Sequence, residues 1–95
     1  MMVVVSYDVA EDENGKRRLR QIAKLCENYG QRVQHSVFEC LVDPNQWAHF
    51  RKELEAKINP KYDSLRFYYL GANWKRAVEH IGAKKSWDPE GVMMF

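Results

Sequence analysis

The feature that most constrains the fold is an apolar, β-branched run at the start of the chain. Residues 2–9 read Met-Val-Val-Val-Ser-Tyr-Asp-Val. Such a run is typical of a strand that is buried on both faces, which predicts a central place in a sheet. The run contains one charged residue, Asp8, and a carboxylate in apolar surroundings is costly unless it is hydrated, paired or metal-bound. The sequence therefore predicts a central strand that ends at an acidic group.

Two helices follow from the spacing of apolar residues and from capping signals. Residues 16–29 carry one apolar stripe at helical spacing, with Asn14 as a possible cap and Gly30 as the C-terminal stop. The second helix begins at residues 43–46, Asp-Pro-Asn-Gln, which form an aspartate version of the capping box with proline in the first helical position. Residues 59–60, Asn-Pro, end it.

The remaining regular segments are strands. In residues 31–42 the apolar positions change parity, so a bulge or tight bend near 35–37 is needed, and one bulged strand or two short strands would both fit. Residues 65–70 form a further strand, and residues 75–81 fit either a strand or a short helix. If the middle segment bends into two strands, the order is βαββαβ, an α+β sheet with both helices on one face.

Size and composition indicate one small intracellular domain. The chain has 95 residues, of which 45% are hydrophobic, and a net charge of +2. A core this small is only modestly stable, and pairing with a second copy is a common remedy. Cys26 and Cys40 make no disulfide framework, no basic segment precedes the N-terminal apolar run, and no run has the length of a membrane span. We therefore expect a cytoplasmic protein without a membrane partner.

Asp8 has two interpretations. It can start the turn after the strand or cap local amide groups. Alternatively it binds a divalent cation, since Mg²⁺ keeps several waters and takes only one or two carboxylates. A two-fold axis near Asp8 would add the partner's carboxylate and form the pair that metal-assisted phosphodiester cleavage needs.

The first helix carries a run of basic residues directly after an acidic loop. The basic run is Lys16, Arg17, Arg18, Arg20 and Lys24. Arginine can bind phosphate through two parallel hydrogen bonds, so the run suits a nucleic-acid backbone, although a solvated face with local salt bridges fits as well. The histidine and cysteine spacing makes a zinc site unlikely, and the chain has no Gly-rich phosphate loop.

Several segments together resemble the small CRISPR-associated Cas-two family, and most of all its members from type I-C loci. They are Val-Ser-Tyr-Asp-Val at 5–9, the basic segment at 16–20, Gln-Arg-Val-Gln-His-Ser-Val-Phe-Glu-Cys at 31–40, and the segments 63–68 and 78–84. The resemblance covers nearly the whole chain. It implies a single ferredoxin-like βαββαβ domain over 1–95 that forms a homodimer. The tail from about residue 83 would add a short C-terminal strand, at 92–95, to the sheet of the partner.

The resemblance also implies the site. Asp8 would be the catalytic residue and, from both subunits, the ligand of a shared Mg²⁺ or Mn²⁺. The residues expected to contact nucleic acid are Tyr7, Arg17, Arg18, Arg20 and Arg32, and those expected to support the site are Ser36 and Phe38.

Two functions are compatible with this resemblance. One is a metal-dependent endonuclease that cleaves double-stranded DNA or single-stranded RNA. The other is a non-catalytic dimeric scaffold that holds duplex DNA for the Cas-one integrase while new spacers are acquired. An RNA-recognition module is less consistent with the sequence, because the aromatic strand at 67–69 lacks the glycines of that module's signature.

Overall fold

The computed structural model describes residues 1–71 and 78–83. The strands are β1 (Met2–Asp8), β2 (Gly30–Gln34), β3 (Val37–Leu41), β4 (Ser64–Leu70) and β5 (Val78–Gly82), and the helices are α1 (Gly15–Glu27) and α2 (Pro44–Lys57). The predicted C-terminal strand at 92–95 and most of the tail lie outside the described residues.

The strands form one antiparallel sheet in the order β2-β3-β1-β4-β5. The six elements from β1 to β4 follow the βαββαβ order. The core contains residues from both helices and from one face of the sheet. The predicted α+β, ferredoxin-like two-layer fold is confirmed. β5 extends the sheet beside β4, so the part of 75–81 that the structure describes is a strand and not a helix.

In residues 31–42 the apolar side chains move from odd-numbered to even-numbered positions, and this change has two structural causes. A turn at His35 and Ser36 divides the segment into β2 and β3. In addition, the pairing of β2 with β3 shifts register between Arg32 and Gln34. The prediction of a bend near 35–37 is therefore confirmed, and the alternative with two short strands is the correct one.

The first strand is central, as predicted, but the prediction that both of its faces are buried is wrong. Val3, Val5 and Tyr7 are buried, whereas Met2, Val4 and Ser6 between them are only half-buried. The reason is that both helices pack on the same face of the sheet, and an antiparallel sheet needs cover on only one face. We call the opposite face the open face.

The end of α1 differs from the prediction that Gly30 stops it. The helix ends at Glu27, and its last turn closes through hydrogen bonds from the Asn28 N–H to the Leu25 carbonyl and from the Tyr29 N–H to the Cys26 carbonyl. Gly30 begins β2 instead. A Cβ there would lie 2.3 Å from the Glu39 carbonyl oxygen, so only glycine allows this close approach to β3. At the start of the helix, Asn14 is the capping residue without a capping bond from its side chain.

The start of α2 agrees with its sequence signal. The Gln46 N–H donates to Asp43 Oδ1 at 2.8 Å, and the Asp43 N–H donates to Gln46 Oε1 at 2.9 Å. A cap of this kind contributes about 1 kcal/mol. It sets the helix register that buries Trp47, Phe50 and Leu54 against the sheet.

Neither α1 nor α2 has the length and apolar character of a membrane-spanning helix.

An ionic cluster joins α2 to β5. Arg51 donates to the Glu79 carboxylate through Nη1 and Nη2, each at 2.9 Å, and its Nε donates to Glu55 at 3.0 Å. The Tyr69 hydroxyl also donates to Glu79. Burial raises the pKa of Tyr69 to about 12, and the hydrogen bond to Glu79 acts in the same direction. This cluster lies on the helix side of the sheet and holds the edge strand β5 in place.

Candidate functional site

Asp8 is the last residue of β1 and its side chain is exposed. Because successive side chains of a strand point to opposite faces, Asp8 lies on the open face when Tyr7 packs in the core. In the pairing of β1 with β4, Asp8 is opposite Ser64. The strand therefore presents a carboxylate at its end, on the face that the helices leave uncovered.

A cleft of about 750 Å³ lies beside Asp8. It runs along the loop between β1 and α1 and reaches the turn between β2 and β3. The lining residues are Asp8, Val9, Ala10, Glu11, Asp12, Glu13, Gly15, Lys16, Leu19, His35 and Ser36. The Tyr7 N–H donates to the Ser36 carbonyl at 3.1 Å, which joins the turn to the end of β1. Carboxylate oxygens dominate the polar groups of this cleft, which is the chemistry that Mg²⁺ and Mn²⁺ prefer.

The chain on its own offers an incomplete metal site. Within residues 1–71 and 78–83, no group of three or more His, Cys, Asp or Glu side chains is placed to hold a metal ion. Asp8 supplies one carboxylate on an accessible surface. This fits a hydrated Mg²⁺ or Mn²⁺, since such an ion needs only one or two protein carboxylates.

Arg18 lies next to this cleft in an ionic cluster that we call the Arg18 clamp: Arg18, Asp12 and Asp63. Arg18 Nε donates to Asp63 Oδ2 at 2.7 Å and Nη2 donates to Asp63 Oδ1 at 3.1 Å. Nη1 and Nη2 donate to the two oxygens of Asp12 at 3.0 and 2.8 Å. The side chain of Arg18 is only 14% exposed. The arginine is therefore engaged within the domain.

Asp63 is the most unusual charge of the structure, because its side chain is fully buried. Besides Arg18, it accepts from the Ala10 N–H at 2.9 Å and from the Asn59 N–H at 2.8 Å. Burial raises the pKa of Asp63, but these hydrogen bonds outweigh burial, so the pKa lies below its ordinary value. The hydrogen bonds from Arg18 likewise lower the pKa of Asp12. Both carboxylates are thus ionised at neutral pH.

The other predicted arginines differ from Arg18 in exposure. Arg17 and Arg20 are exposed on α1. Arg32 is exposed on β2, with its guanidinium carbon 5.2 Å from the centre of the Phe38 ring, a cation–π geometry. These three side chains are accessible to a phosphate backbone. Their predicted contact with nucleic acid stays a prediction.

Tyr7 does not occupy the surface position that contact with nucleic acid requires. It is 4% exposed, and its ring stacks on Phe38 with 6.3 Å between ring centres. Burial raises the pKa of its hydroxyl. In this conformation Tyr7 and Phe38 are core residues beneath the site, and a contact of Tyr7 with nucleic acid would require it to leave the core. Ser36 is half-buried at the edge of the cleft, and the supporting roles of Phe38 and Ser36 stay predictions.

The sequence analysis did not single out Asp63, His35 or the pairing of Arg66 with His80 as features of the site. His35 lines the cleft. Arg66 pairs with Ser6 of β1, so it lies on the same open face as Asp8. On its other side it pairs with His80 of β5, and Arg66 Nη2 lies 3.0 Å from His80 Nδ1. Asp63 carried a usable signal, since a carboxylate immediately before a strand as apolar as β4 calls for a basic partner. Which of the many basic residues would be that partner depends on tertiary structure.

Comparison with known proteins agrees with the fold and with the sequence motifs. The sequence model of the family described as "CRISPR associated protein Cas2", the Cas-two family, matches residues 1–78. A protein of Nitratidesulfovibrio vulgaris called CRISPR-associated endoribonuclease Cas2 is 59% identical over 100% of this chain and 94% of its own length. A protein of Halalkalibacterium halodurans called CRISPR-associated endonuclease Cas2 is 52% identical over the full length of both chains, 100% of each.

A solved structure supports the same assignment. The crystal structure of Streptococcus pyogenes Cas2 superimposes with a TM-score of 0.71 at 55% sequence identity, and the match covers 83% of this chain and 96% of that one. A crystal structure from Thermus thermophilus, of a protein titled hypothetical, gives a TM-score of 0.65 at 32% identity over 75% of this chain and 82% of that one. Sequence and fold lead to one conclusion: the chain belongs to the CRISPR-associated Cas2 family.

Proposed function

We propose that this protein is a divalent-metal-dependent endonuclease that acts as a homodimer in CRISPR adaptation and hydrolyses phosphodiester bonds of double-stranded DNA or single-stranded RNA. The observation that carries the proposal is the position of Asp8, an exposed carboxylate at the end of the central strand, beside a cleft rich in carboxylates. The names of the relatives, endoribonuclease and endonuclease, support nuclease activity in general.

The chemistry assigns separate tasks to separate residues. Asp8 would hold Mg²⁺ or Mn²⁺, which when bound supplies a nucleophilic water at neutral pH and offsets charge on the phosphoryl oxygens. Arg17 and Arg20, exposed on the helix that follows the cleft, would bind backbone phosphates on either side of the scissile bond. The Tyr7–Ser36 backbone hydrogen bond holds the turn that closes one side of the cleft.

A second copy of the chain would complete the site. The open face carries Asp8 and also large exposed apolar side chains, with Leu41 73% and Leu70 56% exposed. Both lie opposite Met2 at the far end of β1 from Asp8. Covering such side chains favours association, and a two-fold axis through this face would bring two Asp8 carboxylates towards one metal ion. We therefore propose that the dimer forms through the open face.

A direct test compares Asp8→Asn with Glu13→Gln, a matched loss of one carboxylate from the same cleft. Labelled duplex DNA and single-stranded RNA are each incubated with both variants and the wild type, with and without Mg²⁺. We expect metal-dependent cleavage that Asp8→Asn abolishes and Glu13→Gln retains. Equal cleavage by the wild type and Asp8→Asn, or none by the wild type, would overturn the nuclease proposal.

The second candidate function is a scaffold that holds duplex DNA for the Cas-one integrase. The observation that favours it is the exposure of Arg17, Arg20 and Arg32, which leaves three cationic side chains accessible to the phosphates of a duplex. A scaffold should bind DNA with a steep salt dependence that reflects counterion release. Asp8→Asn should then leave both DNA binding and integrase assembly unchanged, and binding that does not respond to salt would contradict this function.

A further inference from the structure

Asp63 connects three separate segments around the candidate site. Its carboxylate is fully buried and accepts hydrogen bonds from the Ala10 N–H, the Asn59 N–H and two nitrogens of Arg18. These donors come from the loop after β1, from the loop after α2 and from α1. Four hydrogen bonds to one buried carboxylate hold it in a single position.

Asp63 is linked to the surroundings of Asp8 in two ways. Ala10 follows Asp8 by two residues in the chain, and its N–H is held by Asp63 at 2.9 Å. Ser64 follows Asp63 directly and is the cross-strand partner of Asp8. The loop after β1 is therefore held by the Asp63 carboxylate, and the last residue of β1 pairs with the residue that follows Asp63.

Arg18 has little capacity left for a phosphate. A guanidinium has five N–H donors, and the hydrogen bonds to Asp12 and Asp63 use Nε, Nη1 and Nη2. By contrast, Arg17 and Arg20, which lie three positions apart on the same helix, are exposed. The three arginines are alike in sequence but not in surroundings.

We infer that Arg18 and Asp63 are positioning residues, which hold Asp8 and the loop after it in place for metal binding, and that Arg18 is not a contact of the nucleic acid. The inference rests on the proposed function in one respect, namely that Asp8 is the metal ligand. A ligand must be held within about 0.5 Å of its productive position, and the groups behind the ligands usually provide that constraint.

The test uses the substitution Arg18→Lys beside the matched Arg51→Lys, which alters a similar two-pronged ion pair away from the site. Lysine keeps the charge that a phosphate contact needs, but it cannot reproduce the fork that binds both carboxylates. We expect Arg18→Lys to lower the single-turnover cleavage rate at saturating substrate roughly 10-fold or more, with nucleic-acid affinity and its salt dependence unchanged. Arg51→Lys should change neither, because Arg51 lies in the cluster on α2 and not at the site.

Hydrogen exchange of the Ala10 amide gives a readout that does not depend on activity. We expect faster exchange in Arg18→Lys and in Asp63→Asn than in the wild type, together with weaker Mn²⁺-induced NMR broadening of the residue 8 signals. The double variant should be no worse than either single variant, because both remove one network. Arg51→Lys, which alters the cluster on α2, should leave Ala10 exchange unchanged and controls for general loosening of the domain.

Two results would overturn the inference. One is an unchanged cleavage rate in Arg18→Lys at saturating substrate, which would show that a positive charge alone is enough at this position, as it is for a phosphate contact. The other is unchanged Ala10 exchange in both Arg18→Lys and Asp63→Asn. If the wild type neither cleaves nor shows Mn²⁺ broadening at residue 8, the proposed function fails, and Ala10 exchange still decides whether the clamp holds this segment.

Discussion

Residues 1–71 and 78–83 contain two arginine clusters with similar hydrogen bonds and different surroundings. In the Arg18 clamp, the Asp63 side chain is fully buried between two loops and a helix. In the cluster on α2, Arg51 forms the same two-pronged contact with Glu79, but the Glu79 side chain is 40% exposed. Water can therefore hydrogen-bond to Glu79 in place of Arg51. It cannot easily reach Asp63 to replace Arg18 and the backbone N–H groups.

This difference indicates that burial, and not hydrogen-bond geometry, determines how strongly each ion pair holds its surroundings in place. Exposed pairs contribute at most about 1 kcal/mol. Breaking a buried pair leaves an uncompensated charge and is far more costly. The Arg18 clamp can therefore fix the segment beside Asp8, while the Arg51 cluster mainly supports the edge strand β5. The following predictions test this contrast.

The largest effect is expected for Asp63→Ala, which removes the acceptor of the Ala10 and Asn59 N–H groups and one of the two carboxylate partners of Arg18. We expect the free energy of unfolding to fall by about 3 kcal/mol. Urea unfolding followed by circular dichroism measures it. A loss below that of the matched Glu79→Ala would contradict the contrast between the two clusters.

Gly82→Ala should have the next largest effect. Gly82 has φ of +105°, and a Cβ there would lie 2.1 Å from the Asp63 carbonyl oxygen. We expect a loss of about 2 kcal/mol, and Gly71→Ala is the control because nothing lies within 4 Å of its added Cβ. Equal melting temperatures of the two variants would show that the backbone beside Asp63 tolerates displacement.

A smaller effect is expected from acid, which removes only the ionised form of the Asp63 carboxyl. The folded-state pKa of Asp63 lies below its unfolded-state value, which is about 3.9. Stability from this group is therefore fully present above the unfolded-state pKa and is lost as pH falls through the folded-state pKa. Between about pH 5 and pH 2, the wild type should lose more stability than Asp63→Asn. Parallel stability curves would contradict the prediction.

The smallest effect is expected for Glu79→Ala. Hydrogen bonding from Tyr69 lowers the pKa of Glu79 despite its partial burial, and Arg51 adds to this. Because the pair is well exposed, we expect a loss of about 0.5 to 1 kcal/mol, which 1 M salt reduces further by screening. A loss as large as that of Asp63→Ala, or one insensitive to salt, would show that the two clusters are energetically equivalent.

Much of the fold could be predicted because its signals are local. The capping box at Asp43 and Gln46, the apolar face of α2 and the bend near His35 each depend on neighbouring residues. The end of α1 was predicted wrongly, since Gly30 is required by its approach to β3 and not by the helix. The burial of β1 was also overestimated, because an apolar run does not show whether one or two faces will be covered.

The site was less predictable than the fold. Asp8 could be singled out as a charge at the end of an apolar strand, but the arginines of α1 could not be told apart. Arg18 differs from Arg17 only because the helix turns it towards Asp63, which is 45 residues away in the chain. Pairings at this separation leave no periodic pattern. Tyr7 was expected to contact nucleic acid, and in the structure its ring stacks on Phe38 in the core.

The measurement that tests the central claim most directly is anomalous diffraction from crystals of the protein grown with Mn²⁺. We predict a manganese peak about 2.1 Å from a carboxylate oxygen of Asp8, in a position that a second copy of the chain can share. Crystals of Asp8→Asn should lack that peak. A peak located only at Glu11 or Glu13, or one that persists in Asp8→Asn, would contradict the assignment of Asp8 as the metal ligand.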